Sequence, residues 1–279
     1  MKDNELRVLV TGAKGFVGTH LCARLKSLKE SGSNSLGAVV KEVYGYDLDS
    51  TPEELNEWCE KANFVFNLAG VMRPANQDEH MKQNFGFAST LLDTLKQKGN
   101  SCPVMLASSI QAAMVGRFGV TEYGRSKKAG EDLFFDYGKE TGAKVLVYRF
   151  PNLFGEHGRP NYNSVVSTFC NNIANDLPIS INDPSVELTL LYVGDLVDNL
   201  IGAMVGKETR CEFDGLTPMP KSDGHYCYVS ITNKITVGEL AEMLRMFKEA
   251  LIEGKTPVCQ NGLEERMLST FMSYYPESK

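Results

Sequence analysis

Short apolar runs alternate with stretches of helical spacing through the first half of the chain. Leu6–Thr11 (LRVLVT) is an apolar run that opens a glycine-rich turn, the pattern of a buried parallel strand. From Gly15 to Leu28 the apolar positions Phe16, Val17, Leu21, Leu25 and Leu28 follow a helical period. A Ser/Gly loop (Ser31–Gly37) leads to a second strand at Val39–Tyr46, and Thr51 with Glu54 forms a capping box for a helix carrying Leu55 and Trp58. Strands are predicted at Asn63–Leu68, Pro103–Ala107 and Lys144–Tyr148, with helices over Asn76–Lys98 and Tyr123–Glu140. Alternation of this kind predicts an α/β fold, a doubly wound parallel sheet whose ligands bind beyond the carboxyl ends of the strands. From Pro151 onward Asn, Pro and Gly are more frequent and the elements shorter, with strands expected near Ile179–Ile181 and Tyr226–Ile231. The reading divides the chain into a core over residues 1–150 and a mainly substrate-binding C-terminal lobe over 151–279, with elements returning to the sheet.

Composition narrows the partners. The 279 residues carry a net charge of -6, which repels nucleic acid and anionic membrane surfaces. No apolar run is long enough to span a bilayer, and the polar stretch Met1–Arg7 leaves no room for a signal peptide. The seven cysteines are scattered, without a Cys-x-x-Cys pair or a histidine at metal-ligand spacing. Buried thiols in a reducing cytoplasm and no metal site are therefore expected.

Between the first strand and first helix, Thr11-Gly12-Ala13-Lys14-Gly15-Phe16-Val17-Gly18 places glycines at three-residue intervals. Gly12 suits a tight turn, Gly15 a close approach to pyrophosphate, and Gly18 close packing of helix on strand. The helix amides then face the phosphates of a dinucleotide. Asp47, at the end of the second strand, suits the adenosine ribose hydroxyls and disfavours a 2′-phosphate, so it favours NAD over NADP. Asp49 competes for that role.

Tyr123 and Lys127 lie four apart on a predicted helix and project from one face. A phenol ordinarily titrates at about pH 10, and a neighbouring ammonium stabilises its phenolate, which suits it to proton transfer. Ser109, after the fourth strand, is placed to hold a substrate oxygen against it. The same spacing recurs at Tyr275–Lys279, but that copy contains Pro276. Only Tyr123 follows a strand-end Ser-Ser pair and opens a helix.

Together these residues resemble the extended short-chain dehydrogenase/reductase family, which includes nucleotide-sugar epimerases, dehydratases and ketoreductases. The resemblance implies a Rossmann core, an NAD(P)(H) cofactor and the catalytic set Ser109, Tyr123 and Lys127. Asn67-Leu68-Ala69-Gly70 resembles the family's cofactor-lining turn, and Asn84 its helix asparagine. Leu48 beside Asp47, and Phe150 and Pro151 in the Arg149–Gly155 segment, are expected to line the cofactor, with Asn152 on the sugar nucleotide. Leu191–Val197 is similar to the tract where the substrate lobe rejoins the sheet. The resemblance also implies a homodimer paired through the helices Asn76–Lys98 and Tyr123–Glu140.

The strings at Ala69–Pro74, Pro151–Gly155, Pro160–Val165 and Val186–Leu190 resemble, more narrowly, the reductase domain of a bifunctional capsular-polysaccharide enzyme. That domain reduces the C4 ketone of a UDP-2-acetamido-2,6-dideoxy-hexos-4-ulose with NADPH, and a cupin domain follows it. The cupin is absent from this sequence. The family's usual diphosphate arginine is missing at Leu188-Thr189, leaving Arg73 or Arg159 for the phosphates and Asn161 and Asn163 for the uracil or sugar. The expected function is reduction of the C4 ketone of a UDP-4-keto-6-deoxy-(acetamido)hexose in the synthesis of an L-fucosamine-type capsule or O-antigen sugar. The alternatives are an NAD-dependent nucleotide-sugar epimerase and a non-catalytic dinucleotide sensor. A dehydratase needs an acid beside the serine, where this chain has Ile110-Gln111.

Overall fold

A computed structural model describes residues 5–71, 80–162 and 164–276 of the chain, apart from the side chain of residue 117. The chain forms two compact units, one running to Phe150 with Val197–Ser230 added, the other made of Pro151–Leu196 and the chain from Ile231 onward.

The first unit opens with β1 (Glu5–Thr11), α1 (Phe16–Ser31), β2 (Val39–Tyr46), α2 (Pro52–Lys61) and β3 (Phe64–Asn67). There follow α3 (Phe87–Gln97, entered through a wide π-turn at Met81–Gly86), β4 (Val104–Ser109), α4 (Glu122–Thr141) and β5 (Val145–Phe150). The strands stand in the order β2-β1-β3-β4-β5, all parallel. Chain order reverses between β1 and β3, the switch point at which doubly wound sheets of Rossmann type open a ligand crevice. All four residues of β3 are buried, as expected of a strand covered on both faces. Leu9, Val65, Leu106 and Val147 pack against Leu91, Leu95 and Phe134 of α3 and α4 in one core. The Thr51–Glu54 capping box closes the start of α2, and Thr121 caps α4 by accepting from the Gly124 amide.

The second unit contributes β6 (Asn152–Phe154), α5 (Val165–Ala174) and β7 (Glu187–Tyr192). Helix α6 (Val193–Ala203) carries the chain across the boundary between the units. Back in the first unit, β8 (Arg210–Asp214), β9 (Thr217–Pro220) and β10 (Tyr226–Cys227) extend the large sheet, β10 parallel to β5 and β8 antiparallel to β10. The chain ends in the second unit with β11 (Asn233–Thr236), α7 (Val237–Ile252) and α8 (Gly262–Met272). There β11, β7 and β6 form a small sheet, and Phe154, Phe169, Leu190, Leu244 and Phe271 share a separate core.

Two sequence expectations need correction. Ile179–Ile181 forms no strand; it is the irregular stretch between α5 and β7. Its apolar residues pack against the second core without pairing backbone to backbone. The strand expected at Tyr226–Ile231 pairs only at Tyr226 and Cys227. The helix expected over Asn76–Lys98 is helical from His80 to Gln97 where it is described, with a π-turn at Met81–Gly86 in which Asn84 is buried. The start expected at Asn76 lies outside the described residues.

Candidate active site

Backbone shape builds one end of the crevice. Gly12 ends β1 in a left-handed turn at φ +68°, and a Cβ there would stand 2.7 Å from the Ala69 nitrogen. A Cβ on Gly18 would stand 2.1 Å from the Gly12 oxygen, so helix and turn pack backbone to backbone. Gly15 donates its N–H to the Gly12 carbonyl at 3.0 Å and starts α1 without a side-chain cap, and the first helical turn holds no acid. Phe16, Val17 and Gly18 thus lie in an uncapped helix N-terminus whose partial positive charge suits a diphosphate. Beneath it the Thr11 hydroxyl donates to Asn67 Oδ1 at 2.7 Å, while the buried Asn67 Nδ2 has no partner among the described residues.

Asp47 sits beside the same turn. Its Oδ2 accepts the Lys14 N–H at 2.7 Å and its Oδ1 accepts the Leu48 N–H at 2.8 Å. Each oxygen keeps a further lone pair, so the carboxylate is oriented yet able to accept two hydroxyls. Asp49, its competitor, pairs with the Lys14 ammonium, and the Leu48 side chain is fully exposed.

The next loop, Leu68–Val71, is pinned from both sides. Leu68 donates its N–H to the Thr11 carbonyl at 3.1 Å. Asn84 accepts the Val71 N–H at 2.7 Å, donates to the Val71 carbonyl at 3.0 Å and donates to the Ser126 hydroxyl at 3.0 Å. A Cβ on Gly70 would lie 2.9 Å from Asn84 Oδ1 and 3.0 Å from Lys127 Nζ, so only glycine passes between them without displacing one. The helix asparagine expected from the sequence therefore couples the cofactor-side loop to α4.

Buried side chains make the other end. Ser109 closes β4, accepts the Gln111 N–H at 3.2 Å and lies near enough to the Tyr123 phenol to favour its ionised form. Lys127 donates to the Ala107 carbonyl at 3.0 Å, its Nζ 5.8 Å from the Tyr123 ring centroid. Burial pushes the Tyr123 phenol up to about 12, and Ser109 opposes that only in part. Burial also brings the Lys127 ammonium down to about 8, with the Glu131 carboxylate acting against it. At the phenol desolvation outweighs the Ser109 contribution and favours the protonated form. The structure thus brings Ser109, Tyr123, Lys127, Asn84 and Gly70 together at the carboxyl edge of β4, with Phe150 closing the neighbouring β5.

The remaining predicted residues fall elsewhere. Pro151, Asn152, Arg159 and Asn161 lie in the second unit. Asn152 donates to the Thr189 carbonyl at 3.1 Å, Arg159 stacks 4.6 Å over the Tyr162 ring, and Asn161 takes a left-handed conformation with its N–H on Thr168 Oγ1 at 3.0 Å. Arg73 and Asn163 lie outside the described residues. Among the described residues no cluster of metal-ligating side chains occurs, and no helix is long and apolar enough to cross a membrane.

Sequence reasoning missed two neighbours of this site. The buried His80 ring meets the Tyr123 ring edge-on at 5.8 Å, and its Nδ1 has no partner among the described residues. Behind Lys127, Glu131 and Arg149 form a buried ion pair. An arginine inside the apolar run VLVYRF was the available signal, since such a charge survives burial only with a partner.

The model of the NAD dependent epimerase/dehydratase family matches residues 8–209. A UDP-2-acetamido-2,6-beta-L-arabino-hexul-4-ose reductase of Pseudomonas aeruginosa is 36% identical over 98% of this chain and 66% of its own length. The capsular polysaccharide assembling protein CapF of Staphylococcus aureus is similar in structure with a TM-score of 0.78 and 35% identity, over 97% of this chain and 66% of CapF. A Thermus thermophilus UDP-glucose 4-epimerase in complex with NAD shares the fold at a TM-score of 0.68 and 19% identity, over 96% of this chain and 99% of that one. The chain spans just under two thirds of the length of the first two relatives.

Proposed function

The chain belongs to the NAD dependent epimerase/dehydratase family, and on that premise we propose that it reduces the C4 ketone of a UDP-4-keto-6-deoxy-(acetamido)hexose with a nicotinamide cofactor. The observation that carries this reading is the Lys127 ammonium, fixed by the Ala107 carbonyl and 5.8 Å from the Tyr123 ring centroid, with Ser109 at the end of β4 beside them. The likeness to a hexul-4-ose reductase supports the substrate, and the likeness to CapF supports a role in capsular polysaccharide synthesis; the L-fucosamine-type product is carried by the narrower resemblance alone.

The residues present fit a dinucleotide: glycines at the turn, an uncapped helix N-terminus, and Asp47 oriented for a ribose. Gly12, Gly15, Phe16, Val17 and Gly18 would hold the diphosphate, Asp47 and Leu48 the adenosine, and Leu68, Ala69, Gly70, Asn84, Phe150 and Pro151 the nicotinamide half. A nicotinamide held there would supply a hydride to the carbonyl carbon. Ser109 then holds the carbonyl oxygen by a hydrogen bond, and the Tyr123 phenol donates its proton to that oxygen. The carbonyl becomes an alcohol and the phenol a phenolate, which takes its proton back from solvent with Lys127 as the adjacent cation. A phenol held protonated by burial suits this direction.

Asp47 supports NADH over NADPH, against what the narrower resemblance implied. Arg73 or Arg159 for the diphosphate, and Asn152, Asn161 and Asn163 for the sugar nucleotide, are carried by that resemblance. It also carries a homodimer paired through α3 and α4. All seven cysteines are free thiols, which supports a reducing, cytoplasmic setting.

The test is steady-state turnover with the UDP-keto-sugar. Nicotinamide absorbance falls steadily for a reductase, and replacing Tyr123 by Phe stops the fall while cofactor binding survives. Interconversion of UDP-sugars at C4 without net cofactor consumption would establish the epimerase instead.

A further inference from the structure

The strand and helix that present the reacting residues are tied together by a charge pair that touches neither cofactor nor substrate in the mechanism above. Glu131 lies one helical turn beyond Lys127 on α4 and is wholly inaccessible to water, and Arg149 on β5 is 8% exposed. The pairing is bidentate: Arg149 Nε donates to Glu131 Oε1 at 2.8 Å and Nη2 donates to Oε2 at 2.7 Å. Glu131 Oε1 also accepts the Ser108 hydroxyl at 2.6 Å. Arg149 is held on its other sides, since Nη2 donates to the Tyr226 hydroxyl at 2.9 Å and the guanidinium lies 4.1 Å over the Tyr226 ring and 5.1 Å over that of Phe213.

Three consecutive residues of β4 are thereby fixed. Lys127 holds the Ala107 carbonyl, Glu131 holds the Ser108 side chain, and Ser109 faces Tyr123. Because side chains alternate along a strand, tethering Ser108 on one face sets how Ser109 presents on the other. A buried ion pair is seldom kept for stability alone, since well-packed apolar residues of similar volume often serve as well. On the reading of the site given above, we infer that the Glu131–Arg149 pair positions the reacting groups: it locks the end of β4 onto α4 and sets a fixed negative charge one turn behind Lys127.

The surroundings make Glu131 the anion that matters to that amine. Around Lys127 stand the Tyr123 phenol and Glu131 on α4, the Ala107 carbonyl on β4 and Asn84 from the π-turn. Arg149 on β5 and the Tyr226 phenol on β10 stand behind Glu131. Among the described residues Glu131 is the charge that opposes the effect of burial on Lys127.

The test uses the full chain and three variants. Glu131→Leu combined with Arg149→Met removes both charges together and leaves neither stranded; Glu131→Gln keeps the neutral hydrogen bonds; Ser108→Ala removes only the tether on the strand. Titration of the Lys127 amine, followed by NMR with isotope-labelled lysine and assigned by loss of its resonance in Lys127→Met, needs no substrate. In the double variant and in Glu131→Gln that titration should fall by about one pH unit, a tenfold change in protonation equilibrium. The double variant should also lose about tenfold or more in kcat, the scale of a displaced reacting group, while KM for the nicotinamide cofactor holds. Ser108→Ala should lower kcat and leave the amine titration in place. A folded double variant with unchanged titration and kcat overturns the inference, as does full kcat in Ser108→Ala; either would make the pair purely structural. Persisting turnover in Tyr123→Phe would instead sink the reductase reading and leave the amine result standing.

Discussion

The two ends of the crevice are built by opposite means. At the glycine turn the working groups are backbone amides, and what matters is the lack of a Cβ at Gly12 and Gly18. At the Ser109–Tyr123–Lys127 end the working groups are side chains, and what matters is the burial and partnership of each. One end is a shape and the other an electrostatic arrangement. Each also holds one buried polar atom without a partner among the described residues, Asn67 Nδ2 at the first and His80 Nδ1 at the second. Substitutions should therefore separate binding from turnover cleanly, according to the end they touch.

The largest expected effect is at the chemical end. Tyr123→Phe removes the proton donor and keeps the ring, so kcat should fall about 10²–10⁴-fold, the usual worth of a positioned acid. Cofactor affinity, measured by fluorescence titration, should stay within about twofold, because the turn is untouched. Comparable losses in both would show that the two ends are one unit. At the turn, Gly18→Ala places a methyl where the Gly12 oxygen stands 2.1 Å away. Overpacking of that kind costs about 1–3 kcal/mol. Cofactor affinity should drop about tenfold, with kcat at saturating cofactor nearly kept. Urea unfolding gives the first quantity and cofactor titration the second.

The same contrast explains what the sequence disclosed. The glycine turn was legible because its requirement is local: three glycines between a strand and a helix leave few other readings. Tyr123, Lys127 and Ser109 were legible through spacing and through their placement at a strand end. Asn84 was legible only by resemblance, since nothing local shows that a π-turn buries it against Val71 and Ser126. Glu131 and Arg149 escaped because their pairing joins residues 18 apart on different elements. His80 escaped because a lone histidine in a polar stretch carries no periodic signal. Ile179–Ile181 read as a strand because its apolar alternation is that of a strand, yet nothing there pairs with it. Hydrophobic pattern reports burial, and pairing needs a partner that the pattern does not name.

The pH dependence sharpens the comparison further. The Lys127 ammonium, brought down to about 8 by burial against its ordinary 10.5, should lose its proton as pH rises through 8. Turnover that depends on that cation should decline above pH 8, while diphosphate binding at the turn, which has no titrating side chain in that range, should not. Stability moves the other way. Between the folded and unfolded values the unfolded chain binds more protons at this lysine, so its contribution to folding stability rises with pH over that window. The span from about 8 to 10.5 sets an upper bound of about 3–4 kcal/mol. Burial acts on Tyr123 in the opposite sense, but only from about pH 10 upward, above the pH 7–9 range of the test. A kcat profile that falls between pH 7 and 9 while the urea midpoint holds or rises is the expected result. Parallel loss of both would mean that the decline is unfolding.

The smallest expected effect tests whether the buried His80 Nδ1, without a partner among the described residues, is structural. His80→Phe keeps an aromatic ring against the edge of Tyr123 and removes the buried Nδ1. An unsatisfied buried polar atom costs about 1–3 kcal/mol, so the variant should be more stable, with Tm higher by about 2 °C or more for a chain of this size. If the imidazole serves only as packing, kcat and KM for the keto-sugar should match the parent. Should Nδ1 accept from or donate to a sugar hydroxyl, KM should rise about two- to tenfold, the worth of one neutral hydrogen bond, with kcat and cofactor affinity unmoved. His80→Asn, which restores a polar atom without the ring, would then recover KM and lose the added stability. A gain in Tm joined to a loss in KM would mark His80 as a residue that gives up stability for recognition, as expected of a buried polar group with no partner among the described residues.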